Sequence, residues 1–288
     1  MAYRQVGREN IKLVSHILPG AINSRFPDAI SQTLGVNFVK LKNTLIAISL
    51  ASLSSLAFAA DEHAGHGAHW GYSGDTGPAQ WTSLNPEFGA CAGKNQSPIN
   101  ISGLTEAELK AVKFNYKSGG NEVINNGHAI QVNLEAGSSI VVDGIEFDLK
   151  QFHFHSPSEN QINGKSFPLE AHLVHADKDG NLAVVAVVFD EGAANPVVAQ
   201  AWSQMPKKAG EKNALPTKVG AKGLLPGKRD YYRYNGSLTT PPCTEGVRWI
   251  VMKKPMTVSR EQIETFQGTV GFANNRPVQP LNARPVLK

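Results

Sequence analysis

The chain has 288 residues, 41% apolar and 18% charged, with 27 Gly, 17 Pro and two Cys, which excludes a disordered chain, a collagen-like chain and a disulfide-built scaffold. Its formal charge of +4 sits at the N-terminus: residues 1–59 carry six of the 28 Lys+Arg and two of the 24 Asp+Glu, leaving 22 of each for 60–288. A nucleic-acid footprint needs clustered surplus cations, so nucleic acid is dropped as a partner.

In chain order, Lys40-Leu41-Lys42-Asn43 is followed by an apolar run over 45–58 that closes on Ala57-Phe58-Ala59. Cations, a short apolar stretch and a small-x-small end are the parts of a secretory signal. The run is about 14 residues, short of the roughly 20 needed to cross a bilayer. Cleavage is expected near Ala59, giving a periplasmic or secreted protein with no membrane span in its mature form, with an uncleaved anchor or a buried core helix as the other readings. Residues 1–38 show no sustained period, and translation is expected to begin near Val39 or Leu41. Residues 1–59 thus read as an extension plus signal (signal core about 41–59), and 60–288 as one domain. An oxidising compartment lets Cys91 and Cys243 persist as a disulfide, with two buried thiols as the other reading.

Residues 61–77, with His63, His66 and His69, read as an extended arm, either solvated or a weak secondary metal site. Alternating or β-branched runs then predict strands at 112–116, 122–126, 129–134, 139–142, 145–155, 169–176, 182–189 and 247–252. Turn pairs separate them, and Asp143-Gly144 is the strongest hairpin signal. Asn195 can cap a helix with Pro196 at its first position, running to about Met205. Thr105-x-x-Glu108 and Ser259-x-x-Gln262 fit the capping box. The G-x-G-x-x-G, P-loop and G-x-S-x-G motifs are absent from the sequence.

Gln151-Phe152-His153-Phe154-His155 alternates at strand period, so Gln151, His153 and His155 share one face. Two imidazoles two residues apart on a strand lie about 7 Å apart, within reach of one ion. In 169–176, Glu170, His172 and Val174 share a face, and His172 becomes a third imidazole if the two strands pair. Three imidazoles with an open position describe catalytic zinc, and Gln151 and Glu170 are placed to orient the rings. Ordinary polar strand residues fit the same spacing, and spacing alone leaves both readings standing.

The motifs go further. Gln151-Phe152-His153-Phe154-His155, Ser156-Pro157-Ser158-Glu159, Glu170-Ala171-His172-Leu173-Val174-His175 and the run from Tyr234-Asn235-Gly236-Ser237 to Leu238-Thr239-Thr240-Pro241-Pro242-Cys243 resemble the α-class carbonic anhydrases, closest to the bacterial exported branch. His69-Trp70-Gly71-Tyr72, Gln96-Ser97-Pro98-Ile99-Asn100, Asn125-Asn126-Gly127-His128 and Asn275-Arg276-Pro277-Val278-Gln279-Pro280 match too, so the resemblance runs from about His69 to about Arg284.

The resemblance implies a mainly β domain: a central, twisted, mostly antiparallel sheet of about ten strands with short surface helices. It implies zinc-dependent, reversible hydration of carbon dioxide to bicarbonate and a proton, by attack of hydroxide formed at the metal. One Zn2+ would sit on His153 and His155 through Nε2 and on His172 through Nδ1. Gln151 would orient His153, Glu170 would orient His172, and a backbone carbonyl near Asn274 would orient His155. Thr239 and Glu159 would aim the attacking oxygen. Val174, Val184, Leu238, Val247 and Trp249 would receive carbon dioxide, and Thr240 would line the bicarbonate site. His128 would shuttle the proton, over waters ordered by Tyr72, Asn126 and Gln131, titrating near its ordinary value. Cys91 and Cys243 match the family's bacterial disulfide, and Arg276 a structural arginine. Two positions depart from the pattern: Asn160 stands where the family usually has His, and Gln131 where Asn is common.

Overall fold

The structure, a computed structural model, describes residues 69–288. The signal segment, its cleavage point, His63 and His66 lie outside the described residues. Within them the strands are β1 Asn100–Ile101, β2 Lys113–Asn115, β3 Gly120–Asn125, β4 Ile130–Asn133, β5 Ser139–Val142, β6 Ile145–His155 and β7 Gln161–Ile162. They continue as β8 Leu169–Ala176, β9 Leu182–Glu191, β10 Lys212–Val219, β11 Tyr231–Ser237, β12 Glu245–Met252 and β13 Met256–Val258. The helices are short: α1 Trp81–Leu84, α2 Pro196–Trp202 and α3 Arg260–Val270.

Eleven strands form one sheet, ordered β10-β3-β4-β6-β8-β9-β12-β11, with β5 and β2 joined through β6 and β13 on β9. The expectation of a mainly β domain with a mostly antiparallel sheet holds, the exceptions being the parallel pairings of β9 with β12 and β13. Along one edge the long β6 serves two neighbours in turn, residues 145–148 pairing with β5 and 151–153 with β4, while its other edge pairs with β8. Asp143 and Gly144 join β5 to β6 with φ of 52° and 83°, the left-handed pair that a tight hairpin needs.

Local chemistry sets most element ends. Asn195 Oδ1 accepts from the Val197 and Val198 N–H groups, capping α2, which stops at Trp202 rather than Met205. The Ser259–Gln262 capping box forms on α3. The Thr105 box does not. Thr105 N–H donates to Val286 O (2.8 Å) and its carbonyl accepts from Lys288 N–H (3.0 Å), so pairing with the C-terminal segment displaces a helix start.

The sheet separates two cores because successive side chains point to opposite faces. Phe152, Phe154, Leu173, Val185 and Val187 pack on one side with Val198, Trp202 and Phe266 from the helices. Val184, Ala186, Tyr234, Val247, Trp249 and Val251 pack on the other. The described end of the expected arm is not extended and free. Trp70 and Tyr72 meet Trp81 edge-on and pack against the cluster it forms with the disulfide-bonded Cys91 and Cys243, because rings this large bury against an apolar neighbour.

Candidate metal centre and cleft

Strand register builds the site. On antiparallel β6 and β8, His153 lies opposite His172, and His155 opposite Glu170. The three rings stand 4.6–5.3 Å apart between centroids. One nitrogen from each lies within 4.8 Å of the others.

The remaining nitrogens are anchored outward. His153 Nδ1 meets Gln151 Oε1 at 2.8 Å, His155 Nδ1 meets the Asn274 carbonyl at 2.6 Å, and His172 Nε2 meets Glu170 Oε1 at 3.0 Å. Carbonyl and carboxylate oxygens only accept, so the proton sits on each outward nitrogen and a bare lone pair on each inward one. Burial, reinforced by the neighbouring imidazoles, holds His153 and His172 well below the ordinary histidine value. Burial also lowers His155, against the Asn274 carbonyl and Glu170, which pull it up. All three rings are therefore neutral at neutral pH, the form that binds metals. His155 Nε2 is buried with no hydrogen-bond partner, which fits a nitrogen reserved for an ion.

Glu159 is buried beside this cluster, its Oε2 3.6 Å from His155 Nε2 and 3.8 Å from His172 Nδ1. Its Oε1 accepts from the Arg276 backbone N–H at 2.9 Å. Burial pushes its carboxyl up to about 8, against the Arg276 N–H and the neighbouring Thr239 hydroxyl, which draw it down. Thr239 is buried, and Thr240, a partly buried neighbour, starts the turn closed by Cys243 N–H donating to its carbonyl at 2.8 Å.

The apolar candidates share the face of the histidines. Gln151, Val174, Val184, Trp249 and Tyr234 lie in one cross-strand row through β6, β8, β9, β12 and β11. Val247 lies two residues before Trp249 on β12, and Leu238 packs on the same cluster. Trp249 stands edge-on to His172 at 4.9 Å.

On the other flank, Gln131 lies opposite His153 across β4 and β6. Asn126 Oδ1 accepts from the His128 and Ala129 N–H groups, and its amide reaches Gln131 Oε1 at 3.4 Å. The Tyr72 hydroxyl is buried and unpartnered, and burial together with Glu159 raises its pKa. His128 is stacked on Trp70, ring centroids 3.6 Å apart and planes 9° apart. Burial, and then His69, lower His128 to about 4, away from the expected ordinary value.

Sequence reasoning missed this stack, although Trp70 stood in a quoted motif; aromatic identity alone carries no partner. It also missed the Asn274 side chain. That amide donates to the His128 and Phe154 carbonyls (3.0 and 2.9 Å) and accepts from Ser156 N–H (2.8 Å), joining the β6 end to the turn that carries His128.

A family model described as eukaryotic-type carbonic anhydrase matches residues 76–288. A carbonic anhydrase of Pectobacterium carotovorum is 48% identical over 241 residues, covering 83% of this chain and 98% of that protein. One from Neisseria gonorrhoeae is 49% identical over 238 residues, covering 82% and 94%. The solved α-carbonic anhydrase of Thermovibrio ammonificans, in complex with the inhibitor sulfanilamide, is 54% identical with a TM-score of 0.76, covering 77% of this chain and all of that one. The chain is an enzyme of the carbonic anhydrase family, to which its sheet, its three-histidine cluster and its relatives all assign it.

Proposed function

We propose that this enzyme interconverts carbon dioxide and bicarbonate at one zinc ion held by His153 Nε2, His155 Nε2 and His172 Nδ1. The convergence of three neutral, outwardly anchored imidazoles, one with an orphaned buried nitrogen, carries the reading. Three nitrogen donors without thiolates fit a catalytic zinc site with an open position. A bound zinc ion supplies Lewis acidity that brings the ionisation of water near neutral pH, as is established for carbonic anhydrases themselves.

The chain's own residues supply positioning and proton handling. Gln151, the Asn274 carbonyl and Glu170 fix the rings. Thr239 has one proton to give and lone pairs to accept with. Donating its O–H in a hydrogen bond to the Glu159 carboxylate, which Arg276 N–H holds in place and which a bound cation nearby would keep ionised, leaves the Thr239 Oγ1 lone pairs to accept from the attacking oxygen and aim it at carbon. Val174, Val184, Leu238, Val247 and Trp249 offer apolar carbon dioxide a dry wall, and Thr240 receives the bicarbonate oxygens. His128 carries the released proton outward, along waters ordered by Tyr72, Asn126 and Gln131. Residues 60–288 act as the exported catalytic domain, and the disulfide is compatible with that compartment.

The decisive experiment measures zinc per chain and carbon dioxide hydration in the purified protein and in His172→Ala. One zinc per chain, with metal and hydration lost together in a folded variant, supports the proposal. A zinc-loaded protein without hydration, or full zinc and activity in His172→Ala, overturns it.

A further inference from the structure

We infer that Asn160 is a positioning residue for the metal centre: its side-chain amide fixes the Glu170 carboxylate in the pose that turns His172 Nδ1 inward. This rests on the zinc reading above. Asn160 is fully buried and makes no hydrogen bond to any of the three histidines. Its Nδ2 donates to Glu170 Oε1 at 2.7 Å, the oxygen that also meets His172 Nε2 at 3.0 Å. The other oxygen, Oε2, accepts from the backbone N–H groups of Glu159 and Asn160, both at 2.8 Å.

The last torsion of a glutamate is broad, so donors on Oε2 alone leave Oε1 free to swing. The Asn160 amide removes that freedom at the oxygen that matters. Its own orientation is dictated from behind. Tyr234 Oη–H (3.0 Å) and Ile99 N–H (3.3 Å) both donate to Asn160 Oδ1, so the oxygen must face them and the NH2 group must face Glu170. A chain of fixed contacts therefore runs from Tyr234 through Asn160 and Glu170 to His172. At the position where the resembled family usually carries His, an amide supplies the same kind of N–H donor.

The test measures zinc release to a chelator and thermal unfolding of the metal-free protein, for wild type, Asn160→Ala, Asn160→Asp, Asn160→His and Tyr234→Phe. Asn160→Ala is expected to hold zinc about tenfold more weakly, the scale seen when groups that orient metal ligands are removed. Asn160→Asp keeps the shape and the acceptor for Tyr234 and Ile99 but turns an oxygen on Glu170, so it too is expected to release zinc faster. It gives the answer even if the alanine variant does not fold. Asn160→His is expected to restore retention through its ring N–H. Tyr234→Phe leaves the donor in place and is expected to lower unfolding temperature more than zinc retention. Release at the wild-type rate in both Asn160→Ala and Asn160→Asp, with only the metal-free unfolding temperature changed, overturns the assignment and makes Asn160 merely structural. A wild-type protein that binds no zinc instead overturns the underlying reading of the site.

Discussion

His128 meets Trp70 face to face at 3.6 Å, and that contact bears on the proton-carrying role proposed for it. Partial burial removes water from the ring and disfavours its charged form, which is why it titrates near 4 and not near 6.5. The unfolded chain binds this proton near 6.5 and the folded chain only near 4. The neutral ring's contribution to stability is thus full above about 6.5 and is lost as pH falls through that window. Trp70→Ala re-exposes the ring, and we expect the His128 midpoint, read by NMR, to move up toward 6.5; an unmoved midpoint removes Trp70 as the cause. A ring with so low a pKa gives a proton to water easily but seldom holds one at neutral pH. On the relay role proposed above, His128→Ala is expected to slow hydration in weak buffer, to an extent limited by that low pKa, with rescue by added imidazole, and to leave isotope exchange between carbon dioxide and bicarbonate unchanged. Equal loss in the exchange reaction places His128 in the chemistry or the fold instead of the proton path. At this scale the three converging histidines and the Glu159 beside them were legible because motif and spacing carry them. The Trp70 stack was not, since it joins residues far apart in the chain.

Within β6 a bulge decides which face the histidines occupy. Leu149 lies opposite His175 but Gln151 lies opposite Val174, so Lys150 is an extra residue that shifts the pleat by one. Before it the positions facing the helix-covered core are odd, Phe147 and Leu149; after it they are even, Phe152 and Phe154. Strict alternation from residue 145 would have buried His153 and His155 in the helix-covered core. The break was visible in the sequence as a three-residue step from Leu149 to Phe152, and reading residues 145–155 as one uniform strand overlooked it. Deleting Lys150 is expected to abolish zinc binding and soluble folding, because a one-residue slip exchanges the faces on either side. Lys150→Ala keeps the count and loses only an exposed 3.2 Å pair with Asp148, so stability within about 0.5 kcal/mol of wild type is expected. A folded, zinc-binding deletion variant shows that the bulge does not set the face. The edge strand β10 was illegible for another reason. It carries Pro216 and mostly exposed side chains, and only its register with β3 makes it a strand.

Across the whole molecule, one covalent link ties an early loop to the segment that holds Thr239. Cys91 and Cys243 are 152 residues apart in sequence, so the bond closes most of the described chain into one loop. Both cysteine carbonyls are also held noncovalently. Arg276 Nη2 donates to Cys91 O (3.1 Å), Gln96 Nε2 donates to Cys243 O (3.1 Å), and Arg276 Nη1 donates to Gln96 Oε1 (2.8 Å). The same Arg276 offers its backbone N–H to Glu159, so this cluster leads from the disulfide to the site. The folded geometry thus has two supports, whereas the unfolded chain is restrained only by the covalent one. Changing both cysteines to Ser is accordingly expected to lower stability by about 2–4 kcal/mol, chiefly by freeing the unfolded state. Hydration and zinc content at room temperature are expected to change little, because Gln96 and Arg276 still position the two loops. Denaturant unfolding with and without reductant, beside zinc analysis and hydration, checks both halves. An unchanged unfolding midpoint refutes the stabilising role. Loss of hydration in a variant that is still folded and zinc-loaded shows instead that the bond itself, not the Gln96–Arg276 cluster, holds Thr239 in place.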